Sequence, residues 1–103
     1  MRDERFIIKK GEKFCFKLDS RRLVFPLEFK MDYMNKGKEA PLYEIFVSST
    51  NHRPSSSSHD IRSIEPKFFI NYGGRVDWIY FCINAVSDMD VKVRVSSGEC
   101  NFF

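Results

Sequence analysis

The sequence predicts an all-β fold, a single antiparallel β-sandwich of jelly-roll type with about six to eight strands. Three observations predict it. Apolar residues recur with period two along most of the chain, as they do in strands with one buried face. Turn-forming residues interrupt that pattern at short intervals, at Gly11, Asn35 to Pro41, Gly73-Gly74 and Ser87 to Asp90. The 103 residues include 11 Phe, 4 Tyr and 1 Trp, enough large side chains for one core and too short a chain for two. The domain is therefore expected to span 1–103, with its core over about residues 5–97 and a short tail at 98–103.

Each element follows from the pattern in order. After Gly11, Phe14, Phe16 and Leu18 share one face and Cys15 and Lys17 the other, a first clear strand. From Leu23 to Tyr33 every odd position is apolar, while Glu28, Lys30 and Asp32 are charged, which predicts a long strand with one wet face. Pro26 offers no N–H, so that end is expected at a sheet edge or a bulge. The run Leu42 to Ser48 is apolar on both faces and reads as a central strand. Ser49 to Arg62, with four consecutive serines and Pro54, reads as a polar loop without regular pairing, and as the first site of proteolysis. Ser63 to Tyr72 reads as a strand with Phe68 and Ile70 inward and Phe69 partly covered. Gly73-Gly74 suggests a hairpin turn into Asp77 to Asn84, where Trp78 is expected in the core beside Phe29. Asp88 to Asp90 reads as a turn opening a further hairpin, and Val91, Val93 and Val95 alternate with Lys92, Arg94 and Ser96 as a half-exposed edge strand.

Composition narrows the function classes. Net charge is +3, and in the first forty residues 11 basic groups face 7 acidic ones that are interleaved with them. This is not the concentrated basic face of a nucleic-acid binder, so no nucleic acid is expected as partner. No apolar run approaches the roughly 20 residues of a membrane span, so no transmembrane segment is expected. The first ten residues lack the apolar core of a signal peptide. Three widely spaced cysteines, Cys15, Cys82 and Cys100, make no disulfide framework and read as unpaired thiols. Together these features favour a cytoplasmic setting, or a secreted one if the chain is cut from a longer precursor. The basic residues Lys9, Lys10, Lys13, Lys17, Arg21 and Arg22 would also suit a membrane-surface contact.

Few groups suggest chemistry. His52 and His59 flank the serine tract, but no Gly-x-Ser-x-Gly elbow surrounds a serine, and a polar loop is a poor holder of catalytic geometry. No catalytic residue and no cofactor is expected. The histidine and cysteine spacings match no zinc site. Asp77, Asp88 and Asp90 are weak candidates for oxygen ligands to calcium, with Asn84 nearby. Candidates for interaction are Asn51, His52, Arg53 and Pro54 in the polar loop, together with Phe69 and the terminal Phe102 and Phe103, apolar groups that need something to cover them.

The order of elements resembles the pre-peptidase C-terminal type of β-sandwich. Ile45, Phe46, Val47, Ser48, Arg53 and Pro54 stand in its first motif, and Trp78, Ile79, Tyr80 and Phe81 in its second. A weaker likeness to the Golgi-dynamics type runs through Tyr80, Phe81 and Cys82. The resemblance implies a sandwich over about residues 5–97. Where related modules often place an Asp before the Ser-bearing strand, this chain has Leu42-Tyr43-Glu44, a departure at the position on which a calcium-binding carry-over would depend. These readings converge on a non-catalytic protein-interaction module, a structural component of a larger cytoplasmic or cytoskeletal assembly with protein partners. The alternatives are a ligand- or carbohydrate-binding module, calcium-dependent or not, attached to a secreted enzyme, and a membrane-surface-associated sandwich.

Overall fold

The computed structural model of the protein describes residues 4–34, 39–97 and 100–101, the last two by backbone alone. Its strands are β1 (Glu4–Ile8), β2 (Lys13–Asp19), β3 (Leu27–Tyr33), β4 (Tyr43–Ser48), β5 (Ile61–Ser63), β6 (Lys67–Ile70), β7 (Trp78–Ala85), β8 (Met89–Ser97) and the two-residue β9 (Cys100–Asn101). They form two antiparallel sheets, β1-β8-β3-β6 with β9 beside β8, and β2-β7-β4-β5. The all-β sandwich predicted from periodicity is the observed fold. Among the described residues no helix is long and apolar enough to cross a membrane.

The chain changes sheet at almost every connection, and β4–β5 and β8–β9 alone join neighbours within one sheet. Both turns read as hairpins are therefore crossovers. Gly73-Gly74 lies where the chain passes from β6 in one sheet to β7 in the other, and Asp88 lies where it passes back to β8. β8 is not an edge strand: it pairs with β1 and β3. Its wet face made it look like an edge, but exposure of one face says nothing of whether both flanks are paired. The long strand expected from Leu23 begins only at Leu27, after a cis Phe25–Pro26 bond. β3 can thus be central although Pro26 has no N–H, because Pro26 precedes the ladder. Periodicity reveals neither β1, where Phe6, Ile7 and Ile8 run together without alternating, nor the three-residue β5.

Gly11 has φ +84°, open to glycine at no steric cost. The N–H of Glu12 reaches the Lys9 carbonyl at 2.9 Å, and the N–H of Gly11 and the carbonyl of Glu12 both bond Ala85, at 2.8 and 3.0 Å. This is a turn closed by a glycine bulge, and it sets the hydrogen-bonding phase of β2 against β7.

Between the sheets, odd-numbered residues of β3, β4, β7 and β8 meet in one core. Phe29 and Phe81 come from opposite sheets, are fully buried and pack 5.7 Å apart, with Phe68 stacked on Phe29 and Phe16 on Phe81, each at 4.8 Å. At one end the Tyr33 and Tyr43 hydroxyls meet at 3.1 Å, and burial pushes the Tyr43 hydroxyl well above its ordinary pKa.

Candidate functional site

The outer face of the β2-β7-β4-β5 sheet carries the side chains of opposite parity to the core. Lys13, Cys15, Lys17 and Asp19 of β2 stand in register with Asn84, Cys82, Tyr80 and Trp78 of β7. Trp78 is therefore not a core residue. The alternation that places Ile79 and Phe81 inward turns Trp78 outward, where the Lys17 ammonium lies 4.6 Å and the Arg21 guanidinium 5.7 Å from its ring centre.

Cys15 and Cys82 face each other directly and are joined by a disulfide, which corrects the reading of unpaired thiols. A separation of 67 residues in sequence hides a pairing that strand register makes immediate.

Loop 49–60 is folded back over this face and is no unstructured tether. Phe46 and Cys82 point away from the core yet are fully buried, and Pro54 is buried among the loop residues. The His59 ring lies 5.2 Å from Phe46, and His52 stacks on Tyr80 at 4.5 Å. Ser48 Oγ accepts the N–H groups of Thr50 and Asn51 at 3.2 and 2.9 Å. The Asn51 amide donates to Ser58, and Ser55 and Ser58 exchange backbone bonds at 2.9 and 3.1 Å. At the base, Asp60 accepts from the Ser49 N–H at 2.9 Å and from the Tyr72 hydroxyl at 2.8 Å. The Ser49 N–H leads, with Tyr72 after it, in holding the Asp60 carboxyl below its ordinary range, while burial and the carboxylate push Tyr72 up. Hydroxyl and amide side chains take over where no strand partner exists.

The loop's edge and the strand ends enclose an open groove. Ser20 latches the turn after β2 to the segment before β7 through two bonds, N–H to Asp77 carbonyl and Oγ to Val76 carbonyl, each 2.9 Å. That latch brings Asp19, Arg21, Arg22 and Arg75 around a cavity of about 580 Å³. Arg75 continues into a second hollow with Trp78 and Tyr80, and Tyr80 into a third with Cys15, Lys17, His52 and Arg53. The connected lining holds five cations, Lys17, Arg21, Arg22, Arg53 and Arg75, against two carboxylates, Asp19 and Asp77. Arg21 engages both oxygens of Asp19 and holds its carboxyl down to about 2. Arg75 lies 3.5 Å from Asp77. Lys17, Arg22 and Arg53 make no salt bridge among the described residues. The groove is positive because its acids are fewer and already engaged.

Of the residues singled out from sequence, His52 and Arg53 line the groove, while Asn51 and Pro54 shape the loop that bears them. Phe69 is 62% exposed on the outer face of the other sheet, so it is neither partly covered nor part of this site. Phe102 and Phe103 lie outside the described residues. The three calcium candidates do not converge. Asp77 precedes β7, whereas Asp88 and Asp90 follow it, roughly 25 Å away along an eight-residue strand. Asp90 instead makes a two-pronged pair with Arg5, at 2.9 and 2.6 Å, and Asp88 accepts the Lys10 N–H at 2.8 Å. Arg21 and Arg22 stand out in the sequence only as basic residues suited to a membrane surface, and Arg75 not at all, because it lies some fifty residues away and only the Ser20 latch brings it beside them.

Fold and groove together define a small β-sandwich with a cationic, aromatic-floored outer face. Comparison with known protein families, curated proteins and solved structures finds none that matches this chain.

Proposed function

We propose that the chain is a non-catalytic interaction module whose groove over the outer face of β2 and β7 receives an acidic segment of a partner protein. The observation that carries this reading is the charge imbalance around Trp78 and Tyr80, five cations against two engaged carboxylates lining three hollows that adjoin at Arg75 and Tyr80. Arginine suits such a role because its planar fork pairs carboxylates through two bonds, and its neighbouring rings give an extended segment apolar contact. The Trp78 ring is already overlaid by Lys17 and Arg21, an arrangement that favours a carboxylate-bearing ligand over a sugar needing a bare ring.

Trp78 is the single tryptophan of the chain, so its fluorescence reports on the groove directly. Titration with a Glu/Asp-rich peptide should change that emission in a saturable, salt-sensitive way. Arg22→Glu with Arg53→Glu should weaken the binding about tenfold or more, with an unchanged circular dichroism spectrum. A wild-type protein that ignores the acidic peptide would overturn the reading. Binding of phosphatidylserine vesicles alone would replace it with a membrane-surface role.

A further inference from the structure

We infer that the free flank of β2 pairs with the same strand of a second copy, making a two-fold dimer through a continuous sheet. β2 ends the order β2-β7-β4-β5, so one of its flanks bonds β7 and the other faces no strand among the described residues. The bonds of Gly11 and Glu12 to Ala85 at one end, and of Ser20 to Asp77 at the other, fix the phase. Even-numbered residues turn their N–H and C=O groups toward β7. Lys13, Cys15, Lys17 and Asp19 turn theirs to the open flank.

Such a row is a template for another strand, and proteins commonly blunt it with a proline, a bulge or charged side chains, lysine above all. β2 has no proline or bulge within Lys13–Asp19, its bulge lying before it at Gly11, and its charges, Lys13, Lys17 and Asp19, exclude only those strands that do not complement them. The flank is also apolar underneath. Phe14, Phe16 and Leu18 point to the core side but stay half-buried, and Phe6 from β1 packs against Phe14 and Phe16 at 4.4 and 5.4 Å without closing them off. The Cys15–Cys82 bond clamps β2 to the central strand β7, so the flank is held ready and little order is lost on pairing.

The sequence of the strand names the occupant. In antiparallel pairing about a two-fold axis at Phe16, Lys13 stands opposite the partner's Asp19, and Asp19 opposite the partner's Lys13. Cys15 stands opposite the partner's Lys17, so odd meets odd and the outward backbone groups bond. On the core side Phe14 meets the partner's Leu18, and Phe16 the partner's Phe16. Sliding by two residues one way sets Lys13 against the partner's Lys17, and the other way sets Lys17 against the partner's Lys17. Like charges directly opposite are unfavourable, so the charges select one register.

Sedimentation velocity on the full chain, with no acidic peptide present, should show a monomer–dimer equilibrium that shifts with concentration; its absence would leave the groove reading untouched. Lys13→Glu alone sets Glu against Asp, and Asp19→Lys alone sets Lys against Lys, so each variant should be monomeric. Mixed one to one, the two variants should form a heterodimer, because both facing pairs are then of opposite sign. Circular dichroism of each variant establishes folding, and recovery in the mixture is itself proof of it. A wild-type protein that is monomeric at every concentration, or a dimer that persists in either single variant, overturns the inference.

Discussion

Phe29 and Trp78 are both aromatic residues of central strands, and they carry different loads. Phe29 is fully buried between Phe68 and Phe81, where truncation leaves a cavity that neighbouring β-sheet cannot collapse to fill. Phe29→Ala should cost about 3–5 kcal/mol. Trp78 lies on the outer face, half-exposed beneath two cations, so its loss removes partial burial and cation contacts but opens no internal void. Trp78→Ala should cost roughly 1–2 kcal/mol and impair the groove. Urea midpoints of the two variants check the ranking, and an equal loss in both would place Trp78 back among the core residues. Size and hydrophobicity suggested the core for both rings. Parity separates them, since Trp78 shares its phase with Tyr80 and the half-wet end of β7 while Phe29 shares its phase with Leu27 and Met31.

At the scale of elements, loop 49–60 shows what order can be built without strand pairing. Its anchor is Asp60, holding the Ser49 N–H and the Tyr72 hydroxyl together. Because the folded carboxyl titrates below its unfolded value, near 3.9, its contribution is fully present above that value and lost as pH falls through the folded one. Tyr72 is shifted upward, so its contribution is complete below about pH 10 and fades as pH rises through the folded value. Between those limits the loop should resist proteases in the isolated protein, contrary to the expectation from its polarity. Acidification below about pH 4, or Asp60→Asn, should open it to cleavage before the sandwich unfolds. Limited proteolysis across that range, with fragments identified by mass, tests this, and early cutting within the loop at neutral pH would refute it. The strands β2, β3, β4, β6, β7 and β8 were legible in the sequence because alternation marks a buried face directly, though the run read as one strand from Ser63 to Tyr72 narrows to β6 at Lys67–Ile70. The loop was not, since bonds from Ser48, Asn51 and Asp60 leave no periodic trace, and neither were the crossovers, because Gly73-Gly74 suits a sheet-to-sheet connection as well as a hairpin. Of the site, His52 and Arg53 were visible as loop residues and Arg21-Arg22 as a basic pair, but Arg75 joins that pair only through the Ser20 latch.

The molecule as a whole is held by two layers that the chain stitches together by crossing between them, and by one covalent tie within a layer. Cys15–Cys82 joins the edge strand β2 to the central β7 and closes a segment separated by 67 residues, which restricts the unfolded chain by an amount worth up to about 4 kcal/mol on the chain-entropy account. Pairing of two of the three cysteines removes the premise from which a reducing compartment was expected, since stable disulfides accumulate in oxidising ones. The tie also bears on both proposed binding surfaces: it lies in the groove floor beside Tyr80 and fixes β2, the strand inferred to pair with a second copy. Denatured, unreduced protein should therefore react with thiol reagents at one cysteine, Cys100, and at all three after reduction. Replacing Cys15 and Cys82 together by Ala should lower unfolding free energy by an amount approaching that ~4 kcal/mol in oxidising buffer and by little in reducing buffer, where the wild type has lost the tie as well. Three reactive thiols before reduction, or equal stability of variant and wild type under oxidising conditions, would show that β2 is held to β7 by its ladder alone.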